Sequence, residues 1–295
     1  MQKKYLITGA NGQLGRAITG KLRQTDAELI LTEAGRAAEE FHLQELDITK
    51  TEAVLEFARG VKPTAILNCA AYTAVDAQEK DVDLSYRINA IGARNLAIAA
   101  QETGSKLLHV STDYVFSGDG VRPYIEFDAP APVSVYGKTK LAGEEFVKQF
   151  CQRSFILRTA WLYGEGKNFV KTMLALSQTH QELSVVNDQV GSPTSAEELA
   201  NAICSLLDTE NYGLFHATCE GDCSWAEFAS EIFRLAGKDT MVHPITSQEY
   251  QQQNPQSAKR PAYSILDNYM LRLTGGYQFA DWHDAIRTYM EGLKG

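Results

Sequence analysis

Tyr136 and Lys140, in the stretch APVSVYGKTKLAGEEF, stand four residues apart where a helix is expected to begin. Four residues is a little over one helical turn, so both side chains project from one face. A nearby ammonium favours the charged form of a phenol whose ordinary pKa is about 10, which makes the hydroxyl a usable proton donor near neutrality. Spacing alone is a weak signal. The chain has 13 tyrosines, and Tyr163 and Lys167 repeat the pattern in WLYGEGKNF, between glycines on an expected loop. Context has to choose between the pairs.

Three further stretches could do chemistry. STDYVFSG puts Ser111, Thr112, Asp113 and Tyr114 at the end of the apolar run KLLHVST. A hydroxyl there can donate a hydrogen bond to a substrate carbonyl, although the same residues also make an ordinary turn. Gly9-Ala10-Asn11-Gly12-Gln13-Leu14-Gly15 follows one apolar run and opens a helical pattern. Glycines in that position allow a tight turn and let backbone N–H groups approach a pyrophosphate at a helix N-terminus. The spacing Gly-x-x-Gly-x-x-Gly differs from the commoner Gly-x-Gly-x-x-Gly, and the strand before and helix after favour dinucleotide binding. Glu33, 18 residues beyond Gly15, could bond an adenosine ribose and favour NAD, whereas Arg36 could meet a 2′-phosphate and admit NADP. Finally, Asn89 interrupts YRINAIG in mid-helix, where asparagine is a poor helix former and could bend the helix or hold a water.

The elements that must position these residues alternate. KYLIT, AELILT, TAILNCA, KLLHVST and SFILRTA read as strands, separated by helical patterns at QLGRAITGKLRQ, TEAVLEFARG, 82–100 and from Tyr136. Such an alternation predicts an α/β fold: a doubly wound parallel sheet of the Rossmann type, with ligands outside the C-terminal strand ends. Beyond Trp161 the pattern loosens into helices at 168–178, 195–207, 224–236 and 281–293, two of them opened by the expected capping boxes Ser195/Glu198 and Ser224/Glu227. TSQEYQQQNPQSAKRPAYS reads as a short helix and an exposed loop. The expected division is a dinucleotide-binding domain over 1–158, joined by 184–210, and a smaller C-terminal α/β substrate lobe from 159–183 and 211–295.

The 295 residues are enough for a sizeable core. A net charge of -9 argues against nucleic acid or an anionic membrane as partner, while leaving room for an anionic small molecule. Five scattered cysteines predict reduced thiols and a cytoplasmic protein, and Cys219-x-x-x-Cys223 lacks companions for a zinc site. The opening MQKKYLITGANG is too short in apolar residues for a signal peptide, and no apolar run reaches membrane-spanning length.

The set Gly9/Gly12/Gly15, Asn68-Cys69-Ala70-Ala71, Asn89, Thr112 and Tyr136/Lys140 resembles the extended short-chain dehydrogenases/reductases, which selects the first Tyr/Lys pair. Within them, NCAAYTAVDAQE, STDYVFSG, YGKTKLAGE, RTAWLYG, DQVGSPTSAEELA and KRPAYSILDN resemble the dTDP-4-dehydrorhamnose reductase family over essentially the whole chain. The resemblance implies reduction of the C4 ketone of a dTDP-linked 4-keto-6-deoxy sugar by NADPH or NADH. Tyr136 would be the proton donor, and Lys140 would anchor the nicotinamide ribose and, with the positive nicotinamide, lower the Tyr136 pKa, with Thr112 holding the carbonyl. It implies cofactor contacts from Gly9, Asn11, Gly12, Gln13, Leu14, Glu33, Asp47, Ile48, Ala70, Ala71, Tyr72 and Asn89. Sugar-nucleotide contacts are implied for Val75, Tyr114, Trp161, Asn168 and Arg260, the last toward the diphosphate. Dehydratases of the superfamily carry glutamate where this chain has Tyr114, which argues against elimination. A non-catalytic dinucleotide-binding subunit is the other alternative, and the intact Thr112, Tyr136 and Lys140 argue against it. Some family members bridge two subunits through magnesium held by a glutamate where this chain has Ala17. A monomer without metal is therefore expected, although Glu197 and Glu198 remain acidic.

Overall fold

A computed structural model describes residues 2–35 and 43–293. Its strands are β1 Lys4–Thr8, β2 Glu28–Glu33, β3 Gln44–Glu45, β4 Ala65–Asn68, β5 Lys106–Thr112, β6 Ser154–Thr159, β7 Leu162–Tyr163, β8 Glu182–Val186, β9 Val190–Gly191, β10 Thr194–Ser195, β11 Gly213–His216, β12 Cys223–Ser224 and β13 Met241–Ile245. The helices are α1 Gln13–Leu22, α2 Thr51–Val61, α3 Val75–Gln78, α4 Val82–Tyr86, α5 Ala93–Thr103, α6 Val135–Phe150, α7 Phe169–Leu176, α8 Ala196–Leu207, α9 Trp225–Ala236, α10 Ser247–Gln253, α11 Tyr269–Leu273 and α12 Trp282–Gly292.

Seven strands form one parallel sheet in the order β11-β6-β5-β4-β1-β2-β3. Both faces are covered, which is why β4 and β6 are buried at every residue rather than at alternate ones. Period-2 alternation still sorts side chains between faces. Tyr5 and Ile7 join one core with residues of α1 and α8, while Leu6 joins the other with residues of α2, α5 and α6. The first core continues without a break into the lobe, through Phe228, Ile232, Trp282 and Ile286. Strand order reverses between β1 and β4, where a doubly wound sheet opens its ligand crevice. There a buried polar chain links three adjacent strands: Thr8 Oγ1 donates to Asn68 Oδ1 at 2.9 Å, and Asn68 Nδ2 meets His109 Nδ1 at 2.9 Å.

Several expectations need correction. The β11 strand, Gly213–His216, extends the main sheet although the division by sequence assigned it to the lobe, because its partner is β6. The helix expected at 82–100 is broken by a π-helical turn, Arg87–Gly92, centred on Asn89. At α8 only half of the capping box forms. Ser195 accepts from the Glu198 N–H, but the Glu198 carboxylate turns to Tyr277 and Ala280 instead. The Ser224/Glu227 box forms completely. In the lobe, β8 and β13 pair in parallel, a contact that the helical reading of this region did not include.

Candidate active site

The Gly9 loop turns directly from β1 into α1. Gly9 has φ of +65°, and a Cβ there would lie 2.6 Å from the Ala70 nitrogen, so only glycine fits. Gly12 caps α1 without a side chain, and no acid stands in the first turn. The first-turn amides are thus left for an anionic ligand. Outside the strand ends lie two connected hollows. One, of about 400 Å³, is lined by Gly9, Glu33, Asp47, Ile48, Leu84 and Ile88 among others. The second, of about 420 Å³, is lined by Gln13, Leu14, Thr112, Tyr136 and Lys140. They share Gly12, Cys69, Ala70 and Ala71.

Glu33 lines the first hollow and accepts from the Asn11 N–H at 3.3 Å and from its neighbour Ala34. Arg36 lies outside the described residues. Asp47 holds Thr49 through two hydrogen bonds. Asn11, Tyr72 and Asn89 line neither hollow. Asn11 receives Arg16. The buried Asn89 amide accepts from the Tyr72 N–H at 2.8 Å and donates to the Tyr72 carbonyl, Gln78 and Thr139, so it clamps the 72–78 loop against α6. A π-turn at this point, where the helix opens to aim one polar side chain, is a recurrent feature of functional sites.

Helix α6 begins with Ser134 accepting from the Gly137 N–H. Gly137 lets α6 approach the Tyr114 carbonyl, since a Cβ there would fall 2.1 Å from that oxygen. This contact brings Tyr136 to Tyr114, with ring centroids 5.3 Å apart. Thr112, at the end of β5, donates to Asp113 Oδ1 at 2.8 Å and accepts from the Tyr114 N–H. Lys140 is 2 % exposed and its Nζ donates to the Val110 carbonyl at 2.6 Å.

The electrostatics depart from the expectation for Tyr136. Burial pushes its phenol upward, opposed by the Thr112 hydroxyl and reinforced by Asp113 and Tyr114. In the protein alone, desolvation therefore outweighs the depression expected from Lys140. Burial lowers Lys140 to about 8, with Glu144 and Cys69 acting in the opposite direction. Asp113 is raised to about 6 by burial, against hydrogen bonds from Thr112 and Ser264.

Val75, Tyr114, Trp161 and Arg260 line the same hollow. Arg260 Nη2 meets both oxygens of Asp76 at 3.2 Å, and Asp76 also receives the Ala258 N–H. Trp161 has φ of +47°, a strained conformation for a tryptophan, and stacks on Trp225 at 3.5 Å with 6° between the ring planes. Trp225 lines the cleft too, and sequence reasoning missed it. The available signal was the Ser224 cap, which places an aromatic residue at the first position of a helix. Asp76, the partner of Arg260, carries no such signal.

Asn168 does not reach the cleft. Its carbonyl caps α7 and its amide is used by Gly164, Gly166 and Tyr289. The competing Tyr163 is a core residue, 1 % exposed and packed on Phe228 and Tyr289. Around Ala17 a separate hollow of about 330 Å³ contains Glu197 and Glu198. Glu197 pairs with Lys21 at 2.7 Å. Among the described residues, no three His, Cys, Asp or Glu side chains are grouped to hold a metal ion.

The chain matches the family model described as RmlD substrate binding domain over residues 3–294. It is 39% identical over 304 residues to the dTDP-4-dehydrorhamnose reductase of Aggregatibacter actinomycetemcomitans, covering 98% of this chain and 99% of that one. The crystal structure of a dTDP-4-dehydrorhamnose reductase from Clostridium acetobutylicum superposes with a TM-score of 0.93 at 50% identity, over 99% and 100% of the two chains. That of Bacillus anthracis, in complex with NADP, gives 0.91 at 42% identity, again over 99% and 100%. By sequence and by fold, the chain belongs to the RmlD family, that of the dTDP-4-dehydrorhamnose reductases.

Proposed function

We propose that this chain reduces the C4 ketone of dTDP-4-dehydro-β-L-rhamnose with NADPH or NADH to give dTDP-L-rhamnose. One observation carries the reading: Thr112, Tyr136 and Lys140 line the same hollow as Trp161 and Arg260, and that hollow is continuous with the glycine-loop cleft. The dinucleotide, when bound, supplies the hydride. As C4 receives it, the carbonyl π pair moves to oxygen and the Tyr136 O–H gives its proton to that oxygen. A phenol held protonated by burial is in the right state to donate, and the phenolate left behind is stabilised by the Lys140 charge and the Thr112 hydroxyl. Trp161 offers a flat apolar wall to the sugar C–H face, and Arg260 a fork of donors to the diphosphate. The first-turn amides of α1 suit the dinucleotide pyrophosphate.

In this reading residues 1–158 with 184–210, less the β8 residues that pair with β13, and with the added strand β11, bind the dinucleotide, and the remaining segments bind the nucleotide sugar. Five unpaired cysteines favour the cytoplasm, where reduced dinucleotides are supplied. Ala17, in a wall where Glu197 is occupied by Lys21, favours a monomer over a metal-bridged dimer.

The test is NAD(P)H oxidation followed at 340 nm with dTDP-4-dehydro-β-L-rhamnose, beside Tyr136→Phe. The wild type is expected to turn over, and the variant to lose about 10²- to 10⁴-fold in kcat while still binding cofactor. Absence of wild-type turnover with intact cofactor binding would remove the proposal.

A further inference from the structure

Beneath the Tyr136/Lys140 pair lies an ion pair sealed from water. Arg158, on β6, donates to both oxygens of Glu144 at 2.8 and 2.7 Å, and the two side chains are 1% and 0% exposed. Ser111 Oγ donates to the same carboxylate at 2.5 Å. Lys148 approaches it from the solvent side at 3.9 Å. Burying such a pair is costly, and an apolar pair of the same volume would commonly be as stable, so stability alone does not account for it. Its position does. Glu144 follows Lys140 by four residues on α6 and shares its face. Ser111 is flanked by Val110, whose carbonyl receives Lys140, and by Thr112.

We propose that Glu144, clamped by Arg158 and Ser111, is a positioning residue: it is the buried counter-charge that keeps Lys140 protonated and it locks the end of β5 to α6. This rests on the role given above to Lys140. The other groups around the ammonium cannot do the same. Cys69 is a thiol raised to about 12 by burial, and His109 is held neutral by burial and by Lys140 itself. Tyr136 on the same helix is kept protonated by its burial. Arg158 is itself cationic, and it acts on Lys140 only against Glu144. Without the Glu144 charge, Lys140 would face an unrelieved desolvation and give up its proton at lower pH.

The test uses the full chain as wild type, Glu144→Gln and the charge-balanced double variant Glu144→Gln/Arg158→Gln, which guards against misfolding from a stranded guanidinium. Lysine ε-carbon NMR on the cofactor-free protein, with Lys140 assigned by Lys140→Met, reads its titration directly. The alkaline limb of kcat/KM reads the consequence. Lys140 is expected to titrate about one pH unit lower in Glu144→Gln, and lower by a smaller amount in the double variant, where the opposing Arg158 charge is gone as well. The alkaline limb should move with it, giving about a ten-fold deficit in kcat/KM at pH 9 relative to wild type. A purely structural role would lower thermal stability and leave both midpoints in place. A folded variant with an unmoved Lys140 titration, or a moved titration with an unmoved limb, overturns the proposal. A wild type without reductase activity would instead defeat the functional reading, with the NMR titration still deciding what Glu144 does to Lys140.

Discussion

Asp113 shows what one buried side chain costs at this site. Its carboxyl is raised to about 6 from an ordinary 3.8, so the folded protein holds the proton more tightly than the unfolded chain does. The sign follows from linkage: ionising Asp113 weakens the fold, the loss accumulates between about pH 4 and 6, and it stays constant above. Asn cannot ionise. The stability of Asp113→Asn relative to wild type should therefore rise with pH across that window, by about 2–3 kcal/mol, and then level off. Urea unfolding at pH 4.5, 5.5 and 7.5 measures it, and a difference independent of pH would contradict the shift. Tyr136 follows the same physics with a different purpose. Its phenol was expected to be depressed by the lysine one turn away, a statement about spacing. The observed direction is upward because spacing says nothing about desolvation, and burial is the largest influence on the Tyr136 phenol.

At the scale of elements, the site depends on irregular pieces set between regular ones. The Gly9 turn, the π-turn at Asn89 and the left-handed Trp161 each hold a backbone that repeating structure cannot provide. Trp161 adopts its strained φ between the ring of Trp225 and Gly191, whose missing Cβ would sit 2.6 Å from the Trp161 ring. Trp225 is fixed in turn by the complete capping box of α9 and by Phe169 at 4.5 Å. Trp225→Leu should release the Trp161 wall. The expected result is a KM for the sugar nucleotide raised about three- to ten-fold, with the cofactor KM unchanged and Trp225→Phe intermediate. Equal effects on both KM values would mean that the stack supports the whole fold instead of the sugar wall.

At the scale of the molecule, one core runs from beneath the sheet into the lobe, so the two parts are not loosely hinged bodies. One of their polar connections lies at the cleft. Asp76, on the α3 side, takes Arg260 from the lobe, 184 residues away. Arg260→Ala removes both this link and the fork offered to the diphosphate. The KM for the sugar nucleotide should rise about ten- to hundred-fold, and NAD(P)H affinity measured by fluorescence should stay the same. A parallel loss of cofactor affinity would show that the link mainly holds the cleft in shape.

Much of this was legible in the chain read as letters. Strands and helices of the first half follow from local periodicity, and the glycine loop from the need for a tight turn that lets backbone amides approach an anion. Thr112 stood out as a hydroxyl at a strand end, whereas Tyr136/Lys140 was chosen over Tyr163/Lys167 by the family resemblance, which spacing could not do. What the sequence determined by itself was thus the α/β architecture, since it arises from short-range periodicity. Only the tertiary structure decided that β11 closes the edge of the sheet and that Asn168 serves as a helix cap. It also decided that Trp225 backs Trp161, that Asp76 holds Arg260 and that Glu144 is sealed beneath Lys140. Each of those is a contact between segments far apart in the chain or a degree of burial, and both are properties of packing.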